Sequence, residues 1–135
     1  MSLPARAAIE RLESAMRELP QIELETRHHF SQGMYCRELS IPKGVCLVGK
    51  AHKQRHFFML LKGRILLSDG AEAKEVCAPA IFSCEAGTKR AGLALEDVVC
   101  VNIHRTDLTD LDAIEAEQIE SDDLALFDAR NKVLT

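Results

Sequence analysis

Apolar and polar residues recur with helical spacing at the start of the chain and with a spacing of two over most of the rest. Between residues 4 and 19, apolar residues recur with helical spacing at Ala8, Ile9, Leu12 and Met16. Pro4 suits a first helical turn, and Pro20 cannot continue a helix. We therefore predict an N-terminal helix over residues 4–19, with Glu13 among its solvent-facing side chains.

From residue 22 to residue 104 the pattern is typical of short β-strands separated by glycine and proline turns. Residues 34–41 alternate clearly, so Tyr35, Arg37 and Leu39 are predicted on one strand face. Glu38 then lies on the other face. Further strands are predicted at residues 65–68, 75–78, 79–84, 90–95 and 97–104. Many short strands at this spacing indicate an all-β sandwich or barrel with flanking helices.

Helical spacing returns in the acidic C-terminal part of the chain. Leu111, Ile114 and Ile119 form an apolar stripe among acidic residues. Residues 121–123 are good capping residues, and Asp123 among them is expected to help begin a last short helix that reaches Arg130. The predicted organisation is an N-terminal helix (1–20), a β-sandwich (21–105) and a helical segment packed on the same domain (106–135).

The segment from Gly44 to Gly63 holds most of the candidate chemistry. It is apolar at both ends and carries basic residues near its middle. We interpret it as two antiparallel strands joined by a polar bend at residues 53–55. Lys50 and His52 would then share one face of the first strand, and His56 would join them from the second. Three basic side chains are therefore predicted to point into one small space.

Composition and charge exclude several classes of protein. A chain of 135 residues with 47% apolar residues suits one domain with a real core, and a net charge of −4 gives no indication of nucleic acid binding. No apolar run approaches the roughly 18 residues of a membrane helix, and the N-terminus lacks the apolar core of a signal peptide. The five cysteines are odd in number and form no CxxC pair, which favours buried thiols in a reducing compartment. We expect a cytoplasmic protein that binds neither nucleic acid nor membrane.

The spacing of the central segment resembles the first motif of the cupins, the superfamily of RmlC-like jelly rolls. That motif runs G, five residues, H-x-H, three residues, E, six residues, G. Its positions are taken here by Gly44, Lys50, His52, His56 and Gly63. Lys50 thus stands at the first histidine and His56 at the glutamate. The resemblance implies a cupin-like double-stranded β-helix, which is a jelly-roll β-sandwich, flanked here by N-terminal and C-terminal helices.

The second cupin motif, P-x-G, two residues, H, is similar to residues 85–90. Glu85 replaces the proline and Arg90 replaces the histidine. Of the four metal ligands that the resemblance implies, only His52 is kept in place. A wider pattern resembles small cupin-like proteins of tailed phages and prophages, and it comprises Arg27-His28-His29-Phe30, Tyr35-x-Arg37-Glu38, Gly49-Lys50-Ala51-His52, Gly87-Thr88-Lys89-Arg90, Glu96-Asp97 and His104. That likeness implies a phage or prophage origin.

The residues of the predicted pocket suit a small anionic ligand. Lys50 offers three donors, and Arg90 offers a planar fork that matches a carboxylate or phosphate. Histidines beside them can donate, accept or change charge near neutral pH, and Lys89 would add positive potential at the rim. The predicted ligand-binding residues are Lys50, His52, His56, Lys89 and Arg90, with Glu38, His104 and Tyr35 as further candidates.

Other interpretations stay open. His52 and His56, completed by Glu38 or His104, could hold a divalent metal in an isomerase, lyase or dioxygenase. Cations at two ligand positions oppose this, so no resident cofactor is expected. A buried network of Lys50, Arg90 and Glu38 without any ligand is a further alternative.

The sequence also leaves open whether the protein is an enzyme. A histidine could act as a general base without any metal. Alternatively, the protein could be a structural or assembly accessory that acts through its surface. The apolar face of Phe57, Met59 and Leu61 would suit the outer sheet of a homodimer. Tyr35 and Arg37 would point outward from their shared strand face into an ion pair or a subunit contact, or Tyr35 would line the pocket instead.

Overall fold

The computed structural model describes residues 1–122 and 125–134, and these form two packed antiparallel β-sheets flanked by two helices. In chain order the elements are α1 (Leu3–Met16), β1 (Glu25–Ser31), β2 (Met34–Ile41), β3 (Cys46–Val48), β4 (His56–Lys62), β5 (Arg64–Ser68), β6 (Ala73–Cys77), β7 (Ala80–Cys84), β8 (Ala91–Ala94), β9 (Val98–Arg105) and α2 (Leu111–Gln118). The sheet orders are β1-β2-β9-β4-β7 and β3-β8-β5-β6. The predicted all-β jelly-roll sandwich with terminal helices is confirmed.

The hydrophobic core lies between the inner faces of the two sheets. Its most enclosed side chains include Leu39, Ile41, Leu60, Ile65, Val98 and Cys100. Burial of one such aliphatic side chain favours folding by about 1.5–3 kcal/mol. The inner faces of β2, β4 and β9 turn polar towards one strand end, where they carry Arg37, His56 and Asn102. The core therefore fills one end of the sandwich and leaves a polar end for the site.

The predicted central hairpin is wrong. β3 pairs with β8 in the four-stranded sheet, whereas β4 pairs with β7 and β9 in the five-stranded sheet. Residues 49–55 cross from one sheet to the other instead of forming a tight bend. The physical reason is that each strand finds its hydrogen-bond partners far away in the sequence, on opposite layers of the core.

The turn between β4 and β5 explains why the spacing of the central segment ends on a glycine. Gly63 has a φ of +87°, and a Cβ placed there would lie 2.3 Å from the carbonyl oxygen of Asp97. No side chain is accommodated at that distance. The turn can therefore pack against residue 97 only if position 63 has no side chain.

Two helices are formed where the sequence predicts them, with shorter bounds. α1 begins after Ser2, whose hydroxyl accepts from the Ala5 N–H at 3.2 Å, and ends at Met16. Asp110 caps α2 in the same way through the Ala113 N–H. Neither of these described helices is long and apolar enough to cross a membrane.

The last predicted helix, over residues 121–130, is wrong where the chain is described. Residues 125–130 contain no helix, and Phe127 forms an isolated antiparallel bridge with Val133. Asp123, one of its predicted cap residues, lies outside the described residues. The bridge shows that the C-terminal segment folds back on itself.

A buried ion cluster attaches α1 to the sandwich. Lys89 is only 1% exposed, and its Nζ lies 2.9 Å from Glu13 Oε1 and also contacts Asp122. Burial disfavours the charge on Lys89, but the two carboxylates outweigh that effect and raise its pKa. Two predicted positions are thereby corrected, since Glu13 does not face solvent and Lys89 is not at a pocket rim. The helical spacing of α1 could not show that the buried ammonium of Lys89 lies next to Glu13, because Lys89 is distant in sequence.

The five cysteines are all free thiols, but they are not uniformly buried. Cys84 and Cys100 are enclosed as expected, whereas Cys46 and Cys77 are exposed. On the outer face of β4, Phe57 and Leu61 are each 49% exposed. The predicted outward face is therefore present, and the homodimer inferred from it stays a prediction.

We expect Lys89→Met to lower the free energy of unfolding by about 3–5 kcal/mol, because it removes the ammonium that pairs with the buried carboxylate of Glu13. Urea denaturation measures this change. Lys62→Met, on an exposed position of β4, is the matched control and should change stability by less than about 0.5 kcal/mol. Equal stability of Lys89→Met and the unaltered chain would contradict the assigned role.

Candidate functional site

Three histidines from separate segments meet at the polar end of the sandwich, and we call them the histidine triad. The Nδ1 atoms of His52 and His56 are 3.0 Å apart, and their ring centroids are 3.9 Å apart. The ring of His104 lies 4.8 Å from that of His52 and 4.9 Å from that of His56. One ring nitrogen of each histidine lies within 4.8 Å of the others. The rings of such a cluster can form hydrogen bonds with one another, or several of their nitrogens can bind one ligand or metal ion.

Strand pairing places two members of the triad. β4 and β9 run antiparallel with Phe57 opposite Ile103, so the preceding residue, His56, lies beside His104. Both side chains point inward, because Phe57 and Ile103 occupy the outer face. His56 Nε2 lies 3.1 Å from Asn102 Oδ1, which accepts its hydrogen. The register of two strands thus determines this pair.

The third histidine is held by backbone contacts in the crossing between the sheets. His52 forms an isolated bridge with Ile119, just after α2. Its carbonyl accepts from the Gly87 N–H at 2.8 Å, and the Lys53 N–H donates to the Gln118 carbonyl at 2.7 Å. The position of His52 therefore depends on the C-terminal end of α2.

The triad is neutral at physiological pH. Burial, followed by the neighbouring histidines, lowers the pKa of His52 to about 2. The same causes lower the pKa of His104 to about 4, and burial also lowers that of His56. The expectation that these histidines change charge near neutral pH is therefore corrected. Neutral imidazoles each keep one N–H donor and one lone pair.

Tyr35 supports His104 from behind and does not line the pocket. Its ring stacks on that of His104 at 6.0 Å, and its hydroxyl lies 2.6 Å from His28 Nδ1. Burial raises the pKa of Tyr35 to about 12, so the phenol stays protonated. Nδ1 of His104 is enclosed and has no hydrogen-bond partner among the described residues. A buried ring nitrogen without a hydrogen-bond partner destabilises the folded protein unless a ligand supplies that partner.

A cavity of about 130 Å³ opens beside the triad. Its polar lining consists of Arg37, Lys50, His52, His56, Thr88, Arg90 and Asn102. Arg90 stands directly before β8 and is fixed there by its carbonyl, which accepts from the Gly49 N–H at 2.9 Å. Its Nη1 contacts Cys84 Sγ at 3.3 Å, and no carboxylate in the described part of the chain forms an ion pair with it. Arg90 therefore offers an unbalanced positive charge to the cavity.

Arg37 is a second cation at this cavity, and the sequence analysis did not name it as a site residue. Its Nη2 donates to Asn131 Oδ1, while its enclosed Nε has no partner within the described ranges. Burial lowers the pKa of Arg37, but a guanidinium remains protonated near neutrality. The signal was present in the strand alternation, which puts Arg37 on the same face as Leu39 and Tyr35.

Other predicted site residues are not available to a ligand in the expected way. Lys50 reaches the cavity, but its ammonium pairs with Glu115 of α2. Glu38 lies on the outer face of β2 and contacts His29, with 3.0 Å between the Nε2 and Oε1 atoms. The network of Lys50, Arg90 and Glu38 is therefore not formed. Lys50 and Glu38 instead pair with α2 and β1, and strand pattern alone could not place these partners.

Comparison with solved structures relates this architecture to known proteins. A cupin superfamily protein from Desulfitobacterium hafniense superposes with a TM-score of 0.54 and 13% identity, over 79% of this chain and 92% of that one. A cupin-2 domain protein from Shewanella frigidimarina gives 0.52 and 10%, over 69% and 91% of the two chains. An RmlC-like cupin from the same organism gives 0.51 and 15%, over 60% and 74%.

The chain has the cupin fold. No protein-family model matches the sequence, and no curated protein matches it. His52, His56 and Arg90, which the motif spacing predicted to lie together, line one cavity. His104 joins them from β9, outside both motifs, which is why spacing alone left its role open.

We expect the free energy of unfolding to decrease as the pH is lowered from about 7 to about 4. The reason is that the histidines of the triad have lower pKa values in the folded protein than in the unfolded chain. Below a pH of about 6.5 the unfolded chain takes up protons on its histidines, whereas folded His104 takes one up only near pH 4. The unfolded state therefore binds more protons, and unfolding is favoured by up to about 1.4 kcal/mol per pH unit for each histidine.

Urea denaturation at several pH values, with a chelator present, measures this slope. His52→Gln should flatten it, whereas His29→Gln, an exposed position on β1, should not. A pH slope that is the same in all three proteins would contradict the assignment of neutral, buried imidazoles.

Proposed function

We propose that this protein binds a small anionic molecule in the cavity between the histidine triad and Arg90. The observation that most supports the proposal is Arg90 itself, a guanidinium that lines the cavity without a carboxylate partner in the described part of the chain. A charge in an enclosed site needs an opposite charge or several hydrogen bonds. An anionic guest would supply both.

The size of the cavity limits the guest. A volume of about 130 Å³ holds roughly four water-sized groups, which suits phosphate or a short dicarboxylate such as oxalate. Arg90 would hold one oxygen pair through its planar fork. The hydroxyl of Thr88, which also lines the cavity, would donate to one of the remaining oxygens. The low polarity of the opposite wall, which includes Ile41 and Ile65, would strengthen these contacts.

We expect phosphate or oxalate to bind to the purified protein and to raise its melting temperature. Arg90→Met should weaken binding by about 10-fold to 100-fold, because a hydrogen bond to a charged group contributes about 1.5–3 kcal/mol. Titration calorimetry in the presence of a chelator measures the affinity. Arg55→Met, which removes an exposed arginine paired with Glu85, is the matched control. Absence of binding at millimolar concentration, or equal affinity of Arg90→Met, would contradict the proposal.

A second candidate function is a divalent metal centre on the triad. Two observations favour it: three neutral imidazoles converge, and the enclosed Nδ1 of His104 has no partner among the described residues. This donor set fits zinc, iron, nickel or manganese. When bound, such an ion would act as a Lewis acid on a ligand oxygen. The nearby cations Arg37 and Arg90 oppose a bare ion, and an anionic ligand would offset their charge.

For this second candidate function, we expect protein purified without an affinity tag to contain close to one equivalent of a single transition metal. Elemental analysis measures it. His104→Gln should lose the metal and His29→Gln should keep it. Only traces of metal in the unaltered protein, even after dialysis against zinc or manganese, would contradict this candidate. The anion proposal would stand, because its test is made with a chelator present.

A further inference from the structure

A second and larger cavity lies outside the histidine pocket. It measures about 310 Å³, against about 130 Å³ for the cavity beside the triad. The end of α1, the segment before β1, strand β3 and part of the C-terminal segment enclose it. Its apolar lining includes Met16, Leu24, Leu47, Val48, Leu126 and Phe127. The volume falls within the range of small-molecule sites.

Three charged side chains reach this apolar cavity, and two of them are neutralised. Glu13 is paired with Lys89, and Lys50 is paired with Glu115. Arg37 has no carboxylate within ion-pair distance in the described ranges. Among the described residues, its side chain donates to the neutral amide oxygen of Asn131. Of these three side chains, Arg37 is therefore the one without a direct ion pair, and Glu115 and Asp128 act on its charge only at longer range.

The Nε atom of Arg37 strengthens this point. It is enclosed, and no acceptor within residues 1–122 or 125–134 reaches it. A buried N–H without an acceptor is unfavourable, and on a guanidinium the cost is larger still. A ligand carboxylate would accept from Nε and one Nη together, in the two-bond geometry that arginine prefers.

We propose that this cavity binds an aliphatic carboxylate, with the alkyl chain among the apolar residues between α1 and β3 and the carboxylate on Arg37. Charge complementarity selects the head group, and the apolar lining selects the chain. The two cavities adjoin and share Arg37 and Lys50 in their linings, but Arg90 and the triad do not line the larger one. A fatty acid of medium length has the required chemistry.

Titration calorimetry with three probes tests the proposal on the full chain. Decanoate carries both features, decanol lacks the charge, and acetate lacks the chain. We expect decanoate to bind, decanol to bind at least tenfold more weakly, and acetate not to bind detectably at this site. Equal affinities of decanoate and decanol would overturn the proposal, because Arg37 would then contribute nothing.

Two variants test the two halves of the site independently. Arg37→Met should weaken decanoate at least tenfold while leaving decanol unchanged. Met16→Trp should weaken both by filling the apolar part, and the chain has no other tryptophan, so its fluorescence also reports whether the variant is folded. Arg105→Met, which removes an exposed arginine of β9, is the matched control and should bind decanoate normally.

The outcome also separates this site from the histidine pocket. Decanoate binding that survives Arg90→Met and is lost in Arg37→Met supports the proposal. Loss in Arg90→Met together with normal binding in Arg37→Met and Met16→Trp would place the fatty acid beside the triad and overturn it. Failure of phosphate or oxalate to bind would overturn only the function proposed for the smaller cavity.

Discussion

The pairing of β9 with β2 on one side and β4 on the other is the constraint on which the site depends. That register puts His104 opposite Tyr35 and Asn102 opposite both Arg37 and Phe58. A slip of one residue would turn each of these side chains to the other face of the sheet. The apolar residues that follow on the same inner faces would also be exposed by a slip, so the core itself enforces the register. Packing energy therefore positions the polar end of the sandwich.

Ion pairing within the protein then determines which basic side chains are available to bind an anionic ligand. Lys89 is neutralised by Glu13 and Asp122, and Lys50 by Glu115. All three of these carboxylates lie on helices or on the segment after α2, so the terminal elements do more than cover the sandwich. Among the cations that line the two cavities, Arg37 and Arg90 have no ion pair with a carboxylate of the described residues. Each lines a cavity, and this is the physical basis of both ligand sites.

Local patterns predicted local structure well. The strand at residues 34–41 has the predicted bounds, because strict alternation over eight positions has only one satisfactory strand register. Helix α1 follows its apolar spacing. Errors arose where a residue's partner is distant in sequence. The hairpin was wrong because β3 and β4 pair with β8 and β9, and Glu13 was wrong because its cation lies 76 positions away, at Lys89.

By itself the sequence determined the class of fold and which residues of β2 share a face, because alternation and turn spacing are properties of neighbouring residues. It also placed His52, His56 and Arg90 as a candidate group. Only the tertiary structure decided that His104 completes the triad, that Lys50 is neutralised and that Arg37 stands between two cavities. The reason is that burial and ion pairing depend on which layers meet, and that is set by packing across the whole sandwich.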